Sequence, residues 1–136
     1  ADNGVVGETI LKKSKEPILK TFSFEDFNLL AIKQNYNDLG NLYKTIKKER
    51  PTFKLDEWKA NTLGLTLLFK KRIREGINVL MLNTNLFPES ANAYDSLGEG
   101  YLIAGDKKNA AESFKNSLKF DPQNQNAINR LKQLGN

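Results

Sequence analysis

Cysteine and histidine are both missing from this 136-residue sequence. Without cysteine there is no disulfide and no thiolate metal site, a composition compatible with any compartment. Without histidine, the commonest general base and metal ligand is gone, together with every Ser-His-Asp or Cys-His arrangement. No apolar run approaches the roughly 18 residues of a membrane span. The opening stretch, ADNGVVGETILKK, has no basic segment leading into an apolar one, so no signal peptide is expected in it. It also lacks an initiator methionine, as expected of a chain whose leader was removed or of a piece of a longer protein. Charge of one sign is scarce as well. The net charge of +5 divides into 9 cations against 7 carboxylates over residues 1–50, 6 against 4 over 51–90, and 6 against 5 over 91–136. No segment is a polybasic tail, so the basic balance is weak support for nucleic acid or an anionic surface.

What is present is a pattern over Ala91–Asn124. Tyr94, Leu97 and Tyr101 stand at i, i+3 and i+7, one apolar stripe of a helix. Gly98 and Ala110 are small enough to let neighbouring helices approach. Gly105-Asp106 is a turn signal, and Asp121-Pro122 stops the following helix, because proline disfavours helical geometry in the residue before it. Phe114 completes the set. These residues match the tetratricopeptide pattern, with Tyr94 at its tryptophan position, Leu97, Gly98 and Tyr101 next, then Ala110, Phe114 and Pro122. Ser117 stands where alanine is usual.

Residues 57–90 align with 91–124 at a shift of 34. Leu63 and Gly64 fall on Leu97 and Gly98, Leu67 on Tyr101, Gly76 on Ala110, Leu80 on Phe114, and Pro88 on Pro122. Ala60 takes the tryptophan position and Asn83 that of Ser117, so this unit is looser. Asn126, Ala127 and Leu131 fall on Asn92, Ala93 and Leu97 at the same shift. Residues 125–136 therefore read as a capping helix, of the kind that covers the last apolar face of a solenoid.

Upstream, residues 1–22 read as an arm or linker, with Val5, Val6, Ile10, Leu11, Ile18, Leu19 and Phe22 too apolar for a purely solvated tail. Ser23 and Asp26 have capping-box spacing. Phe24, Phe27, Leu30 and Ala31 form one stripe, and Leu39, Leu42, Tyr43 and Ile46 another, across the turn cluster Asn35-Tyr36-Asn37-Asp38. The second helix ends in Lys47-Lys48-Glu49-Arg50, basic residues that suit a helix C-terminus. Residues 23–50 look like a degenerate helix pair.

Trp58-Lys59-Ala60-Asn61-Thr62-Leu63-Gly64 and, further on, Phe87-Pro88-Glu89-Ser90-Ala91-Asn92-Ala93-Tyr94-Asp95-Ser96-Leu97-Gly98-Glu99 support a closer likeness. From about Phe24 to Leu134 the chain resembles the helical C-terminal region of bacterial serine hydrolases of the β-lactamase and penicillin-binding-protein type, especially those of Bacteroidetes. Gly100, where that pattern has alanine, departs from it. The resemblance implies an accessory module beside an extracytoplasmic catalytic domain, with a periplasmic or extracytoplasmic location and a cytoplasmic one as the alternative. The hydrolase motifs themselves are not here: the chain has no Ser-x-x-Lys and no Lys-Thr-Gly. Ser90-Ala91-Asn92 matches Ser-x-Asn, but it also reads as a turn entering a helix, with Ser90 or Asn92 as cap.

Repeats of this type line their concave wall from positions 2, 5 and 9 of each first helix. Here these are Trp58, Asn61 and Leu65, then Asn92, Asp95 and Glu99, then Asn126, Asn129 and Gln133. Asparagine both donates and accepts, so such a wall suits a peptide backbone, with Trp58 as an aromatic anchor or as a core residue. A chaperone-type clamp, which resembles K-x-x-G-N, is disfavoured: Leu65 and Glu99 follow the two helix glycines. Asp95 and Glu99, at i and i+4, could form an acid pair or a hard-cation site, or simply a solvated pair. Lys70-Lys71-Arg72-Ile73-Arg74 could bind phosphate or an acidic partner. It also reads as a solvated turn, and no aromatic platform accompanies it.

The sequence therefore predicts an all-α fold: a short right-handed superhelix of antiparallel helix pairs, tetratricopeptide-like over 23–136, closed by the capping helix. The expected role is non-catalytic, with no cofactor and no metal. Its partner is expected to be a protein or peptide ligand, or an adjoining hydrolase domain. A purely structural appendage is the alternative, and a basic-face nucleic-acid binder the weakest.

Overall fold

Ser23 opens the first helix with both halves of a capping box. Its backbone N–H donates to Asp26 Oδ2 at 2.9 Å, and the Asp26 N–H donates to Ser23 Oγ at 3.1 Å. The computed structural model describes residues 21–136; the apolar positions expected to lie in the arm, Phe22 excepted, fall outside the described residues. Those described hold seven helices and no strand: α1 (Phe24–Lys33), α2 (Leu39–Glu49), α3 (Glu57–Phe69), α4 (Ile73–Leu86), α5 (Ala91–Ile103), α6 (Lys107–Phe120) and α7 (Gln125–Gln133). They fall into two compact units that meet in the chain at Asp56 and Glu57.

In the first unit, α1 and α2 are joined by the expected Asn35–Asp38 turn. Asn35, Tyr36 and Asp38 all have positive φ, 54°, 58° and 54°. Asn and Asp tolerate this left-handed geometry, but Tyr does so at a cost. Tyr36 is held there by a buried ring and by its hydroxyl, which donates to Asn28 Oδ1 at 2.7 Å. The core is aromatic. Phe53 meets Phe22 edge-on at 5.1 Å between centroids and stacks with Phe27 at 6.3 Å. Lys47 closes the unit, donating from Nζ to the carbonyls of Pro51 (2.8 Å) and Phe53 (2.6 Å).

The second unit repeats itself. The boundaries of α3 and α4, shifted by 34, are those of α5 and α6, and α7 begins 34 residues after α5. The interior contacts recur too. Asn83 Nδ2 donates to the Glu57 carbonyl at 3.3 Å, and Ser117 Oγ donates to the Ala91 carbonyl at 2.8 Å. A Cβ placed on Gly64 would lie 2.5 Å from Leu80 Cγ, and one on Gly98 would lie 2.7 Å from Phe114 Cε1. These pairings join the start of one helix to the end of the next, so α3–α4 and α5–α6 are antiparallel hairpins. Between hairpins the register is parallel: Ser90 Oγ donates to Glu57 Oε2, and Asn126 Nδ2 to Asp95 Oδ1 at 3.0 Å.

Helix ends explain the register. Ser90 and Asn124, 34 apart, are the N-caps of α5 and α7, and each accepts from a backbone N–H of the first turn. At the other ends, Lys71 and Gly105 are left-handed, with φ of 66° and 82°. In both, this residue's N–H reaches back three residues and the next N–H reaches back five: Lys71 to Leu68 and Arg72 to Leu67, then Gly105 to Leu102 and Asp106 to Tyr101. This Schellman closure satisfies carbonyls that a helix end otherwise leaves open. Tyr101 packs against two core clusters, one of Leu68, Leu80 and Leu97, the other of Ala110, Ala111, Phe114, Ala127 and Leu131.

Candidate functional site

The wall expected from the sequence comes from α3, α5 and α7, and its residues meet different fates. Trp58 is 72% exposed, so its alternative reading as a core residue is corrected. Leu65 is exposed on the same side of α3. Asn61 is not part of that wall: it is 6% exposed, on the buried side with Ala60 and Gly64. Its Oδ1, like that of Asn83, has no hydrogen-bond partner. Asn92, Asn126, Asn129 and Gln133 are exposed, and Asn129 Oδ1 accepts from Gln125 Nε2 at 3.0 Å.

Asp95 and Glu99 are brought together with α7, and not as an open acid pair. Arg130 holds Glu99 in a two-pronged contact, Nε to Oε2 at 2.8 Å and Nη2 to Oε1 at 3.0 Å. Asn126 Nδ2 donates to Glu99 Oε2 at 2.9 Å and to both Asp95 oxygens, at 3.0 and 3.2 Å. Asn124 Nδ2 reaches Asp95 Oδ1 at 3.1 Å. The Glu99 hydrogen bonds, opposed by desolvation and aided by the charges of Glu99 and Asp95, raise the Arg130 guanidinium above its ordinary pKa. The hard-cation reading of Asp95 and Glu99 is thereby corrected: their oxygens are occupied by donors that tie α5 to α7. Among the described residues, no group of three or more carboxylates is placed to hold a metal ion. Sequence reasoning missed Arg130, although it stands 31 residues after Glu99 as Asn126 stands 31 after Asp95.

The basic turn between α3 and α4 is solvated. Lys70, Lys71, Arg72 and Arg74 are exposed. Glu75 Oε2 takes Arg72 Nη2 at 3.3 Å and Arg74 Nη2 at 3.5 Å. A hydrogen bond from its own backbone, opposed by desolvation and joined by Arg72 and Arg74, holds the Glu75 carboxyl below its usual range.

A second missed residue is Phe69, the last of α3 and 88% exposed. It follows Leu65 by four positions and Trp58 by eleven, a helical spacing readable in the sequence once all three are known to face outward. In the first unit a cavity of about 220 Å³, lined by Phe22, Leu30, Leu42 and Ile46 among others, falls below the roughly 300–1,000 Å³ of ordinary ligand pockets. No helix among the described residues is long and apolar enough to cross a membrane. Compared with models of known protein families the sequence matches none, and it has no significant match among curated proteins.

Proposed function

We propose that the second unit is a tetratricopeptide-like module and that its role is to bind a protein or peptide without catalysis. The observation that carries this reading is the exposure of Trp58 and Leu65 on α3, beside hairpins whose boundaries and interior hydrogen bonds recur every 34 residues. Buried aromatic anchors dominate binding energy at interfaces, and an exposed tryptophan on a rigidly packed helix supplies such an anchor. The Asn92 and Asn129 side chains lie on the other first helices and can pair with polar groups of a ligand. Selection of peptides from a random displayed library, with counter-selection on Trp58→Ala and Asn92→Ala variants, tests it. Enriched peptides that bind the parent chain and lose the variants are expected. No enrichment, or hydrolysis by this chain that vanishes on changing one of its own side chains, contradicts it.

The likeness of the Phe87–Glu99 stretch to extracytoplasmic hydrolases supports a narrower proposal, that the partner is an adjoining catalytic domain of that kind. A structural appendage is the second reading. It is favoured by the same exposed face of α3, since a helix apolar on two sides is the kind a neighbouring domain covers.

A further inference from the structure

Helix α3 is apolar on two opposite faces. Ala60, Gly64, Leu67 and Leu68 are buried. Across the helix stand Trp58, Leu65 and Phe69, exposed by 72%, 38% and 88%. At 100° per residue the three fall within about 40° of one another, and they span about 16 Å along the axis. Phe69, at the end of that line, leads directly into Lys70, Lys71, Arg72 and Arg74, with Glu75 a carboxylate that Arg72 and Arg74 contact. The stripe thus runs from an aromatic anchor to a positively charged end.

We infer that this face of α3 docks an acidic amphipathic helix of a partner protein, its apolar residues meeting Trp58, Leu65 and Phe69 and its carboxylates meeting the Lys70–Arg74 turn. This rests on the interaction reading above and narrows it to one class of ligand. A straight file of anchors at intervals of seven and four matches the rise of a facing helix, whose own apolar residues recur at i, i+3 or i+4, and i+7. An extended segment would need amide partners for its backbone. On α3 the one side-chain amide, Asn61, is buried, and the exposed Asn92 and Asn129 stand on other helices, off this stripe. A bilayer surface takes a helix with one apolar and one strongly charged face, whereas α3 is apolar on both. Charge sets the sign of the partner, since positive meets negative across specific interfaces.

The test uses the full chain and two synthetic helices of about five turns with the same leucine stripe, one flanked by glutamate and one by lysine. Trp58 is the only tryptophan, so its emission reports directly on this face. The glutamate helix is expected to shift the emission to the blue and to bind at least about tenfold more tightly than the lysine helix. A Leu65→Ser/Phe69→Ser double variant, with unchanged helix content and melting, should lose that binding. Lys70→Glu/Lys71→Glu should invert the preference. Equal binding of the two helices, silence of Trp58 toward both, or binding untouched by the double serine variant overturns the inference. So does dimerisation of the chain through the stripe, or an emission shift on phosphatidylserine vesicles alone. Library peptides lost with Asn92→Ala but retained by the double serine variant would leave the interaction reading standing while this inference fails.

Discussion

The hydroxyl of Ser117 donates to the carbonyl of Ala91 at 2.8 Å and accepts from Asn124 Nδ2, also at 2.8 Å. One fully buried side chain thereby links the start of α5, the end of α6 and the N-cap of α7. This explains serine at a position where the repeat pattern has alanine. Thirty-four residues earlier, Asn83 makes the equivalent bond to Glu57.

Ser117→Ala, although alanine is what the tetratricopeptide pattern has at that place, is therefore expected to destabilise. It strips a partner from both Ala91 and Asn124 in the interior, a loss of about 1–3 kcal/mol. Urea unfolding of the variant beside the parent measures it. A variant as stable as the parent would mean that the bond contributes nothing net.

Lys71 and Gly105 hold the same left-handed place in their hairpins, and only one of them is glycine. A left-handed non-glycine residue costs roughly 1–2 kcal/mol, part of which glycine returns through the unfolded chain's freedom. Lys71→Gly should raise stability by about 0.5–1 kcal/mol, and Gly105→Ala should lower it by about 1 kcal/mol. Opposite shifts in the thermal midpoints would bear this out.

Gly98 and Gly40 separate close packing from mere helix propensity. A methyl at Gly98 would meet the ring of Phe114 at 2.7 Å, and that ring is fully buried. Gly98→Ala is expected to cost about 1–3 kcal/mol through overpacking. Nothing lies within 4 Å of a methyl at Gly40, near the start of α2. Gly40→Ala should be neutral or stabilising, by up to about 1 kcal/mol, as circular-dichroism melts of the two variants can show.

Tyr101 links stability to alkaline pH. Desolvation, with added repulsion from Asp106 and Glu112, raises its phenol above the ordinary value of about 10. A raised folded pKa means that the neutral form stabilises the fold. That contribution is complete below the unfolded pKa and is lost as pH rises through the folded one. Stability should fall above about pH 10, and Tyr101→Phe should lessen the fall. Denaturant midpoints against pH, with ultraviolet titration of the phenolate, measure both.

The period of 34, the cap at Ser90 and the turn at Gly105 made the helices from Glu57 onward legible, because each is a local signal repeated at fixed spacing. Lys71 shows the limit: nothing in its own chemistry announces a left-handed residue, and only its alignment with Gly105 does. Asn61 was misplaced because a repeat position names a side of the helix only coarsely: three residues separate it from Trp58 and three from Gly64, and the structure buries it with Gly64. The Glu99–Arg130 pair joins residues 31 apart, so it depends on the register between hairpins rather than on any one helix. Phe69 resembles an ordinary closing core residue until the opposite face of α3 is seen to be filled already.

Collisional quenching of Trp58 fluorescence in the free chain tests the central claim most directly, that the outer face of α3 is open for a partner. The account predicts emission like that of an indole in water, quenched by iodide and acrylamide almost as readily as free tryptophan. A blue-shifted, protected Trp58 would contradict it, because the face would already be covered by the protein's own chain.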